Sequence, residues 1–80
     1  MNENVEQALN ALEELNEDTT VPKNVKQKLI KLISDLKRKE TTHLELSKAL
    51  HELEEISEDM YLPSYIRTQL FNVTSLLEGA

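Results

Sequence analysis

The sequence predicts an all-α protein, a four-helix bundle built from two tandem helix–loop–helix repeats related by pseudo-twofold symmetry. One glycine and two prolines in 80 residues, with abundant leucine, glutamate and lysine, are typical of a helical chain. The chain also matches itself without a gap when it is shifted by 41 residues. Of the 30 pairs from Ala8/Ala49 to Lys37/Glu78, 11 are identical. We therefore predict one domain, residues 1–80, with internal repeats at about 5–38 and 46–79.

The first repeat contains two helical stripes separated by a polar segment. Helix 1 is predicted from about Asn4, a good N-cap, to Leu15, and helix 2 begins at Pro22, where the fixed φ of proline suits the first helical position. Apolar residues recur at helical spacing in both. The stripes are Val5, Ala8, Leu9, Leu12 and Leu15, then Val25, Leu29, Leu32, Ile33 and Leu36.

The second repeat has the same organisation. Helix 3 is predicted to begin after Thr42, with Glu45 completing a capping box, and helix 4 is predicted to begin at Pro63 and to end near Gly79. The stripes are Leu46, Ala49, Leu50, Leu53 and Ile56, then Ile66, Leu70, Val73 and Leu77. Two hairpins are too few for a solenoid, so we expect them to pack on each other as a bundle.

Two segments of the chain resemble the signatures of uncharacterised protein family 0147, a group of small archaeal proteins. The first segment is the run from Glu17 to Lys26, EDTTVPKNVK, with Lys26 where arginine is more typical. The second comprises Ile56–Asp59, Leu62–Pro63, Arg67–Thr68 and Phe71–Asn72. It departs from the family pattern at Met60–Tyr61, where Pro-Asn is usual, and at Phe71, where tryptophan is usual. The resemblance spans about Leu9 to Glu78 and implies a compact four-helix bundle without an assigned activity.

Charge is distributed unevenly along the chain, whose formal net charge is −6. Residues 1–20 carry six acids and no base, and residues 41–60 carry six acids and one base. Residues 21–40 carry seven bases and two acids, while residues 61–80 carry only Arg67 and Glu78. Packing of the basic helix 2 beside the acidic helices 1 and 3 is a sufficient structural reason for this distribution.

The repeated acidic segments are candidates for a divalent cation, because hard cations prefer clustered carboxylates. Their spacing is not that of an EF-hand loop, and solvation of the helix ends is the favoured explanation. The residues are Glu13, Glu14, Glu17 and Asp18, matched by Glu54, Glu55, Glu58 and Asp59. A second metal pattern, Glu40-x-x-His43, has no repeat partner, since Lys48 precedes His51 by three residues. We expect no metal and no cofactor.

Catalytic and nucleic-acid functions receive less support than a protein contact. The chain has no cysteine and no glycine-rich phosphate loop, so no enzyme is expected. A basic run along helix 2 is the candidate nucleic-acid face, although no aromatic residue lies among its members to stack on bases. That run is Lys23, Lys26, Lys28, Lys31, Lys37, Arg38 and Lys39.

Helix 4 carries the feature that favours a protein partner. Only Arg67 is charged between Tyr61 and Leu77, and the apolar arc of the helix is wider than a bundle core needs. The alternative is that helix 4 is simply the most buried helix. The candidate interface residues are Tyr61, Tyr65, Phe71 and Leu76.

The sequence thus predicts a small, non-catalytic helical module that contacts itself, as a homodimer, or another protein. A nucleic-acid accessory role is the runner-up, and a divalent-metal bundle is a remote alternative. The acidic start, Met1 to Glu6, is unlike a signal peptide, and no run approaches the ~18 apolar residues of a membrane span. We therefore expect no membrane partner and a cytoplasmic location.

Overall fold

The computed structural model describes residues 3–38 and 42–80, and these residues form four α-helices and no strand. The helices are α1 (Glu3–Glu17), α2 (Lys23–Leu36), α3 (His43–Ser57) and α4 (Ser64–Glu78). The all-α, four-helix class predicted from the apolar stripes is therefore confirmed. Lys39, Glu40 and Thr41, which include one residue of the basic run and the glutamate of the Glu-x-x-His pattern, lie outside the described residues.

The helices form a closed ring in which each packs against two neighbours. Within the described ranges, α1 packs beside α2 and α4, and α3 packs beside α2 and α4, whereas the backbones of the diagonal pairs do not approach each other closely. The most extensive contact is between α1 and α4. The basic helix α2 thus lies between the acidic helices α1 and α3, which is the neighbour relation expected from the charge distribution.

The core repeats along the chain with the same 41-residue offset as the sequence. Eight pairs of residues at that spacing are buried in both members: Ala8/Ala49, Leu12/Leu53, Leu15/Ile56, Val21/Leu62, Val25/Ile66, Leu29/Leu70, Leu32/Val73 and Leu36/Leu77. Val5 and Leu9 are also buried, and their counterparts Leu46 and Leu50 are partly buried against the same core. Burial of these apolar side chains supplies the main driving force for the fold.

A proline precedes the second helix of each hairpin, α2 or α4. Pro22 and Pro63 have nearly the same backbone, with ψ of 149° in each, and their carbonyls accept hydrogen bonds from the N–H groups of Lys26 and Arg67. Because that ψ is extended, each proline lies one residue outside its helix, and the prediction that it occupies the first helical position is wrong by one residue.

The ends of the other helices give one correction. Thr42 caps α3 as predicted, with its Oγ1 accepting the N–H of Glu45 at 3.2 Å. The predicted N-cap at Asn4 is wrong, because α1 begins at Glu3 and Asn4 is already helical. Val5 is buried, and the side chain of Asn4 lies against Gly79, so packing on α4 keeps this first turn helical.

Candidate interaction surface

The loop between α1 and α2 is organised by the carboxylate of Asp18. Its Oδ1 accepts hydrogen bonds from the backbone N–H of Thr20 at 2.8 Å and from the Thr20 hydroxyl at 2.5 Å. The Asp18 carbonyl accepts the N–H of Val21 at 3.3 Å. This is the local hydrogen bonding by which aspartate favours turns, and it directs Val21 into the core.

The loop between α3 and α4 repeats this turn with Asp59. The Oδ1 of Asp59 accepts the backbone N–H of Tyr61 at 2.9 Å, and its carbonyl accepts the N–H of Leu62 at 3.3 Å. Leu62 is buried in the position that matches Val21. The acidic segments singled out in the sequence therefore include two turn-forming aspartates.

Each turn is also held by a side chain from the other hairpin. The Tyr65 hydroxyl, on the first turn of α4, donates to Asp18 Oδ2 at 3.0 Å and lies 2.5 Å from Thr20 Oγ1. Asn24, the counterpart of Tyr65 on α2, donates from Nδ2 to Asp59 Oδ2 at 3.2 Å. Both loops consequently lie at the same end of the bundle, which we call the loop end, and each hairpin is tied to the other.

Hydrogen bonding lowers the pKa of Asp18. The largest cause is the hydrogen bond from the Thr20 hydroxyl, followed by that from the Thr20 backbone N–H. Tyr65 and the positive charge of Lys26 lower the pKa further, while partial loss of solvent opposes them. The folded chain therefore favours the carboxylate form of Asp18.

Arg67 closes the end of α3 at the same loop end. Its Nε donates to the carbonyl of Ser57 at 3.2 Å, and its Nη2 donates to the carbonyl of Asp59 at 2.6 Å. Carbonyls at a helix C-terminus lack intrahelical partners, so a guanidinium there satisfies them and suits the negative end of the helix dipole.

The exposed face of α4 differs sharply from that of α2. We call the exposed set Ser64, Thr68, Phe71, Asn72 and Ser75 the outer face of α4; its members are uncharged, and the two charged residues of the helix, Arg67 and Glu78, are exposed along its edge. The matching exposed set on α2 is Lys23, Gln27, Ile30, Lys31 and Ser34. Phe71 is 72% exposed and Ile30 is 55% exposed, so each helix presents one large apolar side chain at the same position. Only on α2 is that side chain flanked by lysines.

The four predicted interface residues fall in three different environments. Phe71 and Tyr61 are exposed, at 72% and 78%, and Met60 beside Tyr61 is equally exposed. Tyr65 is half exposed, and its hydroxyl is engaged with Asp18. Leu76 is partly buried against the core. The structure therefore separates one residue with a packing role and one with a hydrogen-bonding role from two that present open apolar surface.

The basic residues of the candidate nucleic-acid face are divided between two sides of α2. Towards α3, Lys31 Nζ lies 3.6 Å from Glu52 Oε1, and Arg38 Nη1 lies 3.6 Å from Glu45 Oε1. Towards α1, Lys37 Nζ lies 3.4 Å from Glu13 Oε1. Such exposed ion pairs contribute little stability, but they place an acid beside each of these cations. The remaining described members are Lys23 and Lys28, which are exposed, and Lys26, which is half-buried.

Of the open grooves on the described surface, two of the larger ones lie between neighbouring helices. One, of about 260 Å³, runs between α2 and α3 and mixes the cations Lys31, Arg38 and Lys48 with acidic residues. The other, of about 230 Å³, runs between α1 and α4 beside Asp18, Tyr65 and Gln69. Both are open to solvent, and their walls combine charged or polar side chains with core residues such as Leu32 and Leu15, so neither has the enclosed apolar character of a typical small-molecule pocket.

The acidic residues do not converge on a common point. Throughout 3–38 and 42–80, no group of three His, Asp or Glu side chains is arranged to hold a metal ion. Glu13 pairs with Lys37, and Glu55 Oε1 lies 3.2 Å from His51 Nε2. Asp18 and Asp59 instead direct their oxygens to the donors of their own turns and of the opposite hairpin.

Sequence reasoning missed the residues that join the hairpins. Asn24, Thr20 and Arg67 were not assigned any role, and Tyr65 was assigned only to an interface. A signal was present, because Asn24/Tyr65 and Asp18/Asp59 are pairs at the 41-residue offset. Two polar pairs at one end of matching hairpins are candidates for reciprocal hydrogen bonds.

The chain belongs to the family described as Uncharacterised protein family (UPF0147), whose model matches residues 1–80. This confirms the resemblance seen in the two signature segments. No curated protein and no solved structure matches the chain. In the part of the chain that the structure describes, every helix is too short or too polar to cross a membrane.

Proposed function

We propose that this protein is a non-catalytic helical interaction module that contacts another protein chain through the outer face of α4. The observation that supports this most directly is the contrast with α2. The two helices bury the same positions, but α4 has Ser64 and Asn72 where α2 has Lys23 and Lys31. In a chain with 30% charged residues, a 15-residue helix that carries only two charges, one near each end, is a specific feature.

The physical reason is the cost of removing charges from water. A lysine or glutamate buried at a contact loses its hydration, and this costs free energy unless an opposite charge or hydrogen-bonding group compensates. The central parts of protein interfaces are therefore depleted in charged residues and enriched in aromatic ones. Phe71 lies among serine, threonine and asparagine, whose groups form hydrogen bonds at modest desolvation cost. It is therefore the residue that we expect to contribute most to the contact.

The other candidate residues have supporting positions in this proposal. Tyr61 and Met60 extend the apolar surface at the loop end, just before α4 begins. Tyr65 and Leu76 lie on the side of α4 that faces α1, where Tyr65 bonds to Asp18. We assign these two to the stability of the module and not to the centre of its contact.

The experiment compares Phe71→Glu with Ile30→Glu in the full-length protein. Both variants place one carboxylate at an exposed position of the same local geometry, so both should keep the helical content and melting temperature of the wild type within small differences. A binding protein is first identified by mass spectrometry and purified. Its affinity is then measured for each variant, and it should bind the wild type and Ile30→Glu equally. Phe71→Glu should weaken that binding at least about tenfold, about 1.4 kcal/mol. Equal binding by both variants would place the contact elsewhere.

The nucleic-acid alternative has weaker support from the same structure. Lys31, Lys37 and Arg38 each lie beside an acidic residue, and they lie on two sides of α2 and not along one face. Binding through phosphate contacts would weaken steeply as salt concentration rises. An α2 lysine variant that abolished such salt-dependent binding would favour this alternative over a contact through α4.

We further propose that the bundle consists of two copies of one hairpin, related by a pseudo-twofold axis. The support is the eight matched buried pairs, the two matched prolines and the two aspartate turns at the same offset. Absence of cysteine suits a reducing compartment, which supports a cytoplasmic location. The resemblance of the two signature segments to those of small archaeal proteins supports an archaeal source.

A further inference from the structure

We infer that the partner of the outer face of α4 is a second copy of this chain, with the two α4 helices antiparallel so that Arg67 of each copy meets Glu78 of the other. The inference rests on the proposed contact through α4 and adds its occupant and its orientation. It is carried by the placement of the only two charged residues of α4, Arg67 and Glu78, at opposite ends of that helix.

The two charges lie on the same side of α4. They are 11 residues apart, which is about three helical turns, so they differ by only about 20° around the helix axis and by about 16 Å along it. Both are exposed. A second α4 running in the opposite direction presents the same two charges in reversed order. Each positive end then faces a negative end, and both ion pairs form by symmetry.

A parallel arrangement of the same two helices would have the opposite effect. It would place Arg67 beside Arg67 and Glu78 beside Glu78, and like charges held together at a contact are unfavourable. The charge pattern of α4 therefore selects the antiparallel orientation. An antiparallel pair related by a twofold axis is also the isologous contact that most homodimers use.

Phe71 lies between the two charges along the helix and within about 40° of them around its axis. In the antiparallel pair, whose centre falls between Asn72 and Val73, the two Phe71 side chains come within about one turn of each other. An offset aromatic contact at the centre, bounded by ion pairs, has the arrangement of an apolar interface core with a polar rim.

Arg67 retains donors for this role. A guanidinium has five N–H donors, and its hydrogen bonds to the carbonyls of Ser57 and Asp59 use two of them. Those bonds also fix the direction of the side chain, which lowers the entropy that an ion pair with the second copy would cost. The same residue therefore closes α3 and still has donors for a second acceptor.

The rest of the surface disfavours other contacts between copies. Each copy carries a formal charge of −6, so two copies repel each other except where the local charge cancels, as it does on α4. A contact made by one 15-residue helix from each copy is expected to be smaller than the ~1,200 Å² of a standard interface, so we expect a weak dimer with a dissociation constant in the micromolar range.

The test is sedimentation equilibrium of the full-length protein from about 5 to 500 μM, a range chosen to bracket that affinity. The wild-type mass should rise from 9.2 kDa towards twice that value. Phe71→Glu and Glu78→Arg should each remain monomeric across the range, while Ile30→Glu should dimerise as the wild type does. Melting curves at the lowest concentration verify that each variant is folded.

A mixing experiment tests the orientation directly. Arg67→Glu and Glu78→Arg should each fail to self-associate, because each makes both contacts between like charges. When mixed, they should form a heterodimer, since every contact then joins opposite charges. If Arg67→Glu is poorly folded because α3 loses its closing hydrogen bonds, Arg67→Gln is used in its place to show reduced affinity.

The outcomes separate this inference from the proposed function. A monomeric wild type at 500 μM overturns the second copy as partner, while the Phe71→Glu comparison still tests contact with a different protein. A dimer lost in Phe71→Glu but unchanged by Glu78→Arg overturns the antiparallel orientation alone. A dimer unaffected by Phe71→Glu overturns both.

Discussion

Helices α2 and α4 contribute the same positions to the core and present different surfaces to solvent. Val25, Leu29, Leu32 and Leu36 on α2 are buried as Ile66, Leu70, Val73 and Leu77 are on α4. Their outer faces share one exposed apolar position, Ile30 or Phe71, and differ in charge around it. The core positions are constrained by packing, whereas the outer face can change at little cost in stability. The difference between the helices is therefore where function is to be sought.

At the loop end, too, matching positions of the two hairpins differ in chemistry. Asn24 and Tyr65 occupy matching positions and both reach the aspartate of the opposite hairpin. One uses a carboxamide and the other a phenol, so the connection is kept while its chemistry differs. Substitutions at matched positions of the two hairpins sharpen these comparisons.

The largest effect is expected from truncation of the matched core leucines. Leu29→Ala and Leu70→Ala each remove a fully buried side chain and leave a cavity, so each should lower the free energy of unfolding by about 2–5 kcal/mol. Urea denaturation followed by circular dichroism measures both. Leu44→Ala, at a 64% exposed position, is the control and should change little. Costs that differ by more than about 2 kcal/mol between the two leucines would break the equivalence of the hairpins.

A smaller effect is expected from the hydrogen bonds between hairpins. Tyr65→Phe removes only the hydroxyl that meets Asp18 and Thr20, and should cost about 0.5–1.5 kcal/mol in free energy of unfolding. Asn24→Ala should cost about as much or less, because its bond to Asp59 is longer. Tyr61→Phe is the matched control, since Tyr61 engages Asp59 through its backbone N–H. If Tyr61→Phe is as costly as Tyr65→Phe, the bond to Asp18 is not the cause.

The smallest effect is expected from pH. The pKa of Asp18 is lower in the folded chain than its ordinary value of 3.8, so the folded state favours the carboxylate. Its contribution to stability is fully present above that ordinary value and is lost as pH falls through the lower folded pKa. We expect the melting-temperature advantage of wild type over Asp18→Asn to be constant from pH 5 to 7 and to shrink below about pH 4. An advantage that stays constant down to pH 2 would contradict the proposed role of the charge.

Much of the fold was predictable because it depends on periodicity. The apolar stripes identified the core residues of all four helices, and the prolines and Thr42 located three helix starts to within one residue. Asn4 was misassigned because its preference for an N-cap is weaker than the packing of the first turn of α1 against the end of α4.

The candidate surface was predictable only in part. The low charge of α4 and the offset comparison identified Phe71 and Tyr61, which are exposed. A helical projection places Tyr65 and Leu76 together on one flank of α4, but it does not show which helix packs against that flank. In the bundle, α1 lies on that flank, so Leu76 packs against the core and Tyr65 meets Asp18. Tertiary contacts of this kind depend on which helices are adjacent, and composition alone does not supply that.

The closed ring of helices has a consequence for the order of the chain. Asn4 at the start of α1 lies against Gly79 at the end of α4, so the first turn of α1 and the last turn of α4 are adjacent. A short peptide joining them, with the chain cut between α2 and α3, would leave every helix with its present neighbours. The second hairpin would then be translated first, and the bundle would be a circular permutant with the same core. The order of the helices along the chain can thus change while their packing arrangement stays the same.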